Sequence, residues 1–125
     1  SFDCAFACWV LGTIVDDTAQ KEAFSEICRV VKREGSIYLI ENDLCGDFEY
    51  IRGRFPDTSR TERYNRWLES NGAKVAARFT SHFEFRSIEE AASIMGAIWG
   101  PEAAAKVKSA KIGHKIVIYR ACPLL

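Results

Sequence analysis

Three consecutive polar residues at the end of an apolar run are the strongest candidates for chemistry in this chain. Glu41, Asn42 and Asp43 follow the apolar stretch 37–40. A carboxylate at the end of a buried strand can accept hydrogen bonds from ligand hydroxyl or amino groups, or orient a nucleophile. The alternative is that both carboxylates cap a loop and are solvated.

A second group of candidates consists of arginines. Arg52 and Arg54 belong to a set of five that extends from a long loop into the next predicted helix, namely Arg52, Arg54, Arg60, Arg63 and Arg66. Guanidinium groups bind anions through paired hydrogen bonds, so Arg52 and Arg54 are candidate substrate-binding residues. The alternative is a solvated helix face whose charge is balanced by nearby acidic residues.

Motifs for other chemistries are absent. The sequence contains no G-x-G-x-x-G turn, no Walker-type loop and no G-x-S-x-G elbow, so a complete nucleotide site is not encoded within it. His82 falls on the polar face of an alternating segment and His114 opens the last predicted strand. Neither has a partner motif, and we expect both to be surface or structural residues.

Composition restricts the class of protein. The 125 residues carry 17 basic and 17 acidic side chains, and 48% are hydrophobic, which is typical of one soluble domain. Balanced charge and the absence of a long apolar run predict neither nucleic-acid binding nor membrane insertion. The five cysteines form no C-x-x-C pair. They indicate buried free thiols in a cytoplasmic protein and no metal site.

The first part of the chain has the pattern of a βαβ unit. Residues 2–8 are almost all apolar, which favours a strand covered on both faces of a parallel sheet. Helical periodicity follows, with Asp17 as the expected N-cap and Gly35 as the expected terminator. Residues 36–41 form a second strand of the buried type.

The remainder predicts further helices and an antiparallel pair. Residues 42–59 form a long connection without periodicity, and capping-box pairs at Ser59 with Glu62 and at Ser87 with Glu90 begin two helices. Residues 74–86 alternate between apolar and polar side chains, as expected of an edge strand with one buried face.

Further helical and strand signals close the chain. Gly72 ends the helix that begins at Ser59. Pro101 begins another helix that runs to about Ala110, and residues 115–120 form the last strand. We therefore expect an α/β sheet in which parallel strands 2–8 and 36–41 are adjacent. Residues 74–86 and 115–120 form an antiparallel edge pair, and helices cover the faces.

Three segments resemble a known family. The stretch from Phe2 to Asp17, with its Trp9-Val10-Leu11-Gly12-Thr13 turn, resembles the fourth strand and following turn of class I S-adenosylmethionine-dependent methyltransferases. The similarity continues from Phe24 to Glu41, through a Lys32-Arg33-Glu34-Gly35 turn, to the fifth strand of that family. Residues 64–73 resemble its later helix and glycine turn.

This resemblance implies a function and a partial site. The fold would be a partial Rossmann-like methyltransferase sheet, with residues 1–125 as one domain. We expect that domain to be the C-terminal part of a methyltransferase domain, whose N-terminal cofactor-binding strands would precede Ser1. The cofactor would be S-adenosylmethionine and the partner a small-molecule methyl acceptor.

The resemblance also suggests roles for individual residues. Ala7, Cys8 and Trp9 would line the cofactor. Glu41 would be the catalytic residue, orienting the acceptor that Asn42 also faces. Because the glycine-rich turn and ribose-binding carboxylate are not among these residues, we expect the 125-residue chain to be inactive alone.

A different class of function stays open. The chain is alternatively a non-catalytic binding or oligomerisation module, because strand 2–8 would form an unprotected sheet edge that can pair with another chain.

Overall fold

A computed structural model describes residues 1–123. These residues form four strands and five helices, with a short 3-10 turn at Leu11–Thr13. They are β1 (Phe2–Cys8), α1 (Asp17–Val30), β2 (Val31–Asn42), α2 (Asp47–Ile51), α3 (Ser59–Ser70), β3 (Lys74–Glu84), α4 (Ile88–Trp99), α5 (Pro101–Lys106) and β4 (Lys111–Ala121).

The strands form one mixed sheet in the order β1-β2-β4-β3. β1 and β2 are parallel, with Ala7 opposite Leu39 and Cys8 opposite Ile40, and the other pairings are antiparallel. The helix α1 supplies the long crossover that two adjacent parallel strands require. The expected α/β sheet, with its parallel pair and its antiparallel edge pair, is confirmed.

The chain divides into two compact units. The first contains residues 1–42, 64–78 and the chain from Val117, and the second contains 43–63 and 79–116. Each unit has its own apolar core. The first core is built mainly by Leu11, Phe24, Ile37, Leu39, Leu68, Val117 and Tyr119. The second is built by Phe48, Ile51, Ala91, Met95, Ala103, Val107 and Ile112.

The boundary between α1 and β2 differs from the prediction. Asp16, and not Asp17, caps α1, because its side chain accepts a hydrogen bond from the Ala19 N–H at 2.7 Å. The helix ends at Val30 and the strand begins at once, so Gly35 lies inside β2 and does not terminate the helix. A Cβ at Gly35 would lie 2.7 Å from the carbonyl oxygen of Asp3. The glycine therefore permits close approach of β1 where the register between the strands shifts.

Strand β1 is not covered on both faces as expected. Phe2 and Phe6 are 63% and 75% exposed, and only Ala5 and Ala7 are partly buried, against the first core. The reason is its position, because β1 ends the sheet and only one of its faces meets the core among the residues described. The apolar run correctly predicted a strand, but not its burial.

The prediction that strand β3 buries one of its faces is wrong. All of its residues are exposed, including the apolar Val75, Phe79 and Phe83. β3 lies at the other end of the sheet and pairs with β4 alone. Alternation therefore predicted the strand correctly and its burial incorrectly.

The helix signals are partly confirmed. Ser87 caps α4 by accepting a hydrogen bond from the Glu90 N–H at 3.1 Å, as the capping box predicts. Ser59 is already the first helical residue of α3, and Glu62 instead bonds to the Thr58 hydroxyl.

Three other element boundaries differ from the predicted ones. The long connection contains the short helix α2, α5 ends at Lys106, and β4 begins at Lys111. As a consequence, His114 lies within β4. It is buried, with its ring stacked on Phe83 at a centroid distance of 5.1 Å, so its expected structural role agrees with its environment.

Candidate functional site

A buried carboxyl group marks the carboxyl end of β2. Glu41 is 4% exposed, and its Oε1 accepts a hydrogen bond from the Tyr64 hydroxyl of α3 at 2.6 Å. Glu41 and Tyr64 both belong to the first unit. An acidic side chain enters this position because side chains alternate along β2, with Ile37, Leu39 and Glu41 all turned towards the buried side.

The environment changes the acidity of both groups. Burial raises the pKa of Glu41 to about 7, although the hydrogen bond from Tyr64 opposes that rise. Burial and the neighbouring Glu41 carboxylate raise the pKa of Tyr64 well above its usual range. The phenol therefore stays protonated and donates, while Glu41 gains or loses a proton near neutral pH. A carboxyl group of this kind can take a proton from a bound hydroxyl or amine.

A glycine brings the backbone close to this pair. A Cβ at Gly12 would lie 3.4 Å from the Tyr64 ring and 3.6 Å from Glu41 Oε2. Gly12 belongs to the 3-10 turn that follows β1. The Oε2 atom of Glu41 thus faces the turn at the end of the neighbouring parallel strand, while Oε1 faces Tyr64.

Trp9 connects the ends of the two parallel strands. Its backbone N–H donates to the Ile40 carbonyl at 2.9 Å, and its indole Nε1 donates to Asn42 Oδ1 at 3.0 Å. Its φ of 53° is in the left-handed region, which bulky side chains seldom adopt and which costs about 1–3 kcal/mol. Strained residues cluster at functional sites, and Trp9 is 40% exposed.

The predicted cofactor wall lies beside these residues. Ala7 is partly buried against the first core. Cys8, at the last position of β1, is exposed, as are Cys4 and Cys122, so the expected burial of the cysteines is wrong for these three and holds for Cys28. Ala7 and the Trp9 indole provide an apolar surface at the carboxyl end of a parallel strand, where α/β sheets bind ligands. These residues fit one apolar wall of an adenosyl group, and they provide no carboxylate for its ribose hydroxyls.

The structure gathers only part of the predicted site. Ala7, Cys8, Trp9, Glu41 and Asn42 belong to the first unit, whereas Asp43, Arg52 and Arg54 belong to the second.

Within the second unit, Asp43 and the arginines have local partners. Asp43 Oδ1 accepts from the Leu44 N–H at 2.9 Å, and the Arg54 N–H donates to the Glu49 carbonyl at 2.8 Å. Arg52 forms an ion pair with the buried Glu49 at 2.7 Å. Its guanidinium also lies over the rings of Phe48 and Trp99. The substrate-binding role of Arg52 and Arg54 stays a prediction.

Sequence reasoning did not identify Tyr64 or Gly12 as partners of Glu41. Tyr64 lies in a helical pattern, where an aromatic side chain can line an apolar pocket but more often belongs to the core. It is 23 residues from Glu41 along the chain, and no local pattern indicates their contact. The only local feature that indicates a functional role for Gly12 is its position a few residues after a predicted strand, and that feature is weak.

Residues 1–123 contain neither a cluster of metal-ligating side chains nor a membrane-spanning helix. No three histidine, cysteine, aspartate or glutamate residues there lie close enough together to hold a metal ion. None of the helices described there is long and apolar enough to cross a membrane.

Comparison with known proteins supports the fold. No protein-family model and no curated protein matches this sequence. Among solved structures, the chain is similar to a candidate methyltransferase from Bacillus halodurans C-125, with a TM-score of 0.56 and 13% sequence identity. The match covers 99% of this chain and 65% of the other, so the chain spans less than two thirds of that protein's length. At this identity the likeness concerns the fold alone. The chain therefore has an α/β fold similar to the fold of that protein.

Proposed function

We propose that this chain is part of an enzyme that transfers a methyl group from S-adenosylmethionine to a small-molecule acceptor, with Glu41 orienting the acceptor. The buried Glu41 carboxyl at the end of a parallel strand carries the proposal, together with the structural likeness to a methyltransferase. When bound, the sulfonium of S-adenosylmethionine supplies an activated methyl group. The protein then has to align donor and acceptor and to provide at most one base.

Several residues of the first unit have separate roles in aligning the acceptor. Tyr64 holds Glu41 Oε1 through its hydroxyl, so Oε2 is the atom available to an acceptor hydroxyl or amine. Because the pKa of Glu41 is about 7, its carboxylate form can accept the acceptor's proton at neutral pH. Asn42 and Trp9 form the adjoining surface through their hydrogen bond.

A substitution that keeps the shape tests the role of Glu41. Glu41→Gln in the whole protein is expected to lower kcat/KM for the acceptor by about 100-fold or more, with cofactor affinity unchanged. Glu22→Gln on the exposed side of α1 is the matched control and should leave both quantities unchanged.

A second variant tests the position of the acceptor. Gly12→Ala places a methyl group 3.6 Å from Glu41 Oε2 and should raise the acceptor KM. Unchanged turnover and unchanged acceptor affinity in Glu41→Gln would refute the assignment.

We propose that the 125-residue chain is catalytically inactive by itself. Ala7 and Trp9 provide a single apolar wall for the cofactor. The binding free energy that such a wall contributes is small compared with the loss of translational and rotational freedom on association, which costs about 4–15 kcal/mol. Calorimetric titration with S-adenosylmethionine should therefore detect no binding in the micromolar range. Micromolar binding to a monomer would contradict this view.

One observation favours a second candidate function, a non-catalytic module that pairs through β1. Phe2 and Phe6 are exposed on a strand at the end of the sheet, and such edges can pair with another chain. A stable oligomer that Phe6→Lys dissociates, and that binds no cofactor, would support this function.

A further inference from the structure

The strand β3 is an unusually open sheet edge. It runs for 11 residues at the end of the sheet, every residue is exposed, and it contains neither proline nor glycine. Proteins commonly protect edge strands by making them short or by interrupting them with proline or a bulge. β3 is neither short nor interrupted by proline, which leaves charged side chains as the feature that decides what can pair with it.

The backbone groups that face this edge can be identified. The Phe85 N–H, just after β3, donates to the carbonyl oxygen of Ala110, just before β4, at 2.9 Å. In an antiparallel ladder the N–H and C=O groups of alternate residues point to opposite edges. The odd-numbered residues of β3 therefore face β4, and the even-numbered residues present their backbone groups to the open edge.

One pairing of β3 with a second copy of itself satisfies these groups along the whole strand. A two-fold axis at Phe79 places even residues opposite even residues, and so makes them hydrogen-bonded pairs. It sets Lys74 opposite Glu84, an attractive pair at each end. On the other face it sets Val75 opposite Phe83 and Phe79 opposite its own copy, which are favourable cross-strand pairs.

The neighbouring registers are worse. An axis at Arg78 sets that arginine opposite itself, and an axis at Thr80 sets Arg78 opposite His82. An axis at Ser81 sets Arg78 opposite Glu84, but it pairs only residues 78–84. Like charges directly opposite destabilise a sheet, so charge complementarity over the full strand selects the axis at Phe79.

We propose that β3 is a dimerisation edge, on which a second copy of this chain pairs antiparallel with Phe79 at the two-fold axis. The proposal does not depend on the methyl-transfer function. The existing contact of Glu84 with Lys111, at 3.6 Å, is compatible with it, because both side chains are well exposed and the carboxylate can serve two cations.

Sedimentation velocity over a concentration series tests the proposal. The 125-residue chain is expected to reach twice its monomer mass of 14.1 kDa. Glu84→Lys and Lys74→Glu should each raise the dimer Kd by about tenfold or more, because each puts like charges opposite one another at both ends. The double variant Lys74→Glu/Glu84→Lys should restore the wild-type Kd, which also shows that the single variants are folded.

Matched variants separate this surface and register from the alternatives. Phe6→Lys on the β1 edge should leave the dimer intact, and dissociation by this variant alone would assign the interface to β1 and refute the proposal. Rescue of Glu84→Lys by Arg78→Glu, and not by Lys74→Glu, would indicate the axis at Ser81 and overturn the proposed register. A monomer at every concentration would overturn the proposal as a whole.

Discussion

Replacing Glu41 by glutamine should stabilise the protein at neutral and alkaline pH. The glutamine Oε1 can still accept the hydrogen bond from the Tyr64 hydroxyl, so the substitution removes little except the ionisable group. Burial raises the pKa of Glu41 from 4.5 to about 7. The folded protein therefore disfavours the charged form, and a neutral isostere avoids the cost of burying that charge.

The sign and size of the stability difference between Glu41→Gln and the wild type follow from proton linkage. Below pH 4.5 the carboxyl is neutral in both the folded and the unfolded state, so the wild type and Glu41→Gln have similar stability. As the pH rises towards 7, the unfolded state ionises first, and the wild type loses stability relative to the variant. Each pKa unit corresponds to about 1.4 kcal/mol, so the difference reaches about 3 kcal/mol above pH 7.

Urea unfolding at pH 4 and pH 8.5 measures this difference. The free energy of unfolding of Glu41→Gln should match the wild type at pH 4 and exceed it by about 3 kcal/mol at pH 8.5. Glu22→Gln, which changes an exposed residue of α1, is the control and should show the same small difference at both values. A Glu41→Gln protein that is equally or less stable at pH 8.5 would refute the claim that Glu41 is a desolvated carboxyl.

Three other substitutions test the remaining structural arguments. Arg52→Met should destabilise the protein by about 3–5 kcal/mol in urea unfolding, because it leaves the buried Glu49 unpaired; a loss no larger than that of Glu49→Gln/Arg52→Met would contradict this. Gly35→Ala should cost about 1–3 kcal/mol, because its Cβ would lie 2.7 Å from the Asp3 carbonyl oxygen, and an unchanged melting temperature would show that the backbones are not so close. Burial, assisted by the charge of Arg52, lowers the pKa of His114 from its usual value, so the contribution of His114 to stability should be lost as the pH drops below 6.5, opposite in sign to the contribution of Glu41. His114→Phe should remove that dependence, and an identical pH profile in this variant would contradict it.

The sequence by itself determined most of the secondary structure and the arrangement of the first unit. Continuous apolar residues at 2–8 and 37–40, separated by a helical pattern, predicted a parallel pair with a helical crossover, because parallel strands need a long connection. The capping pair at Ser87 and Glu90 correctly placed the start of α4, because both groups act within one turn of the chain. The polar residues after 40 correctly indicated the end of β2.

The tertiary structure alone decided which of these residues are buried and which meet. The 2–8 and 74–84 strands have apolar residues that predict burial, yet both strands lie at the ends of the sheet, where 74–84 is exposed throughout and 2–8 is partly buried only at Ala5 and Ala7. The hydrogen bond between Glu41 and Tyr64 joins a strand end to a helix formed later in the chain, and burial of the carboxyl in the folded protein raises its pKa. Local patterns specify backbone conformation through propensity and spacing, whereas burial and pKa depend on the neighbours that a residue acquires when distant segments pack together.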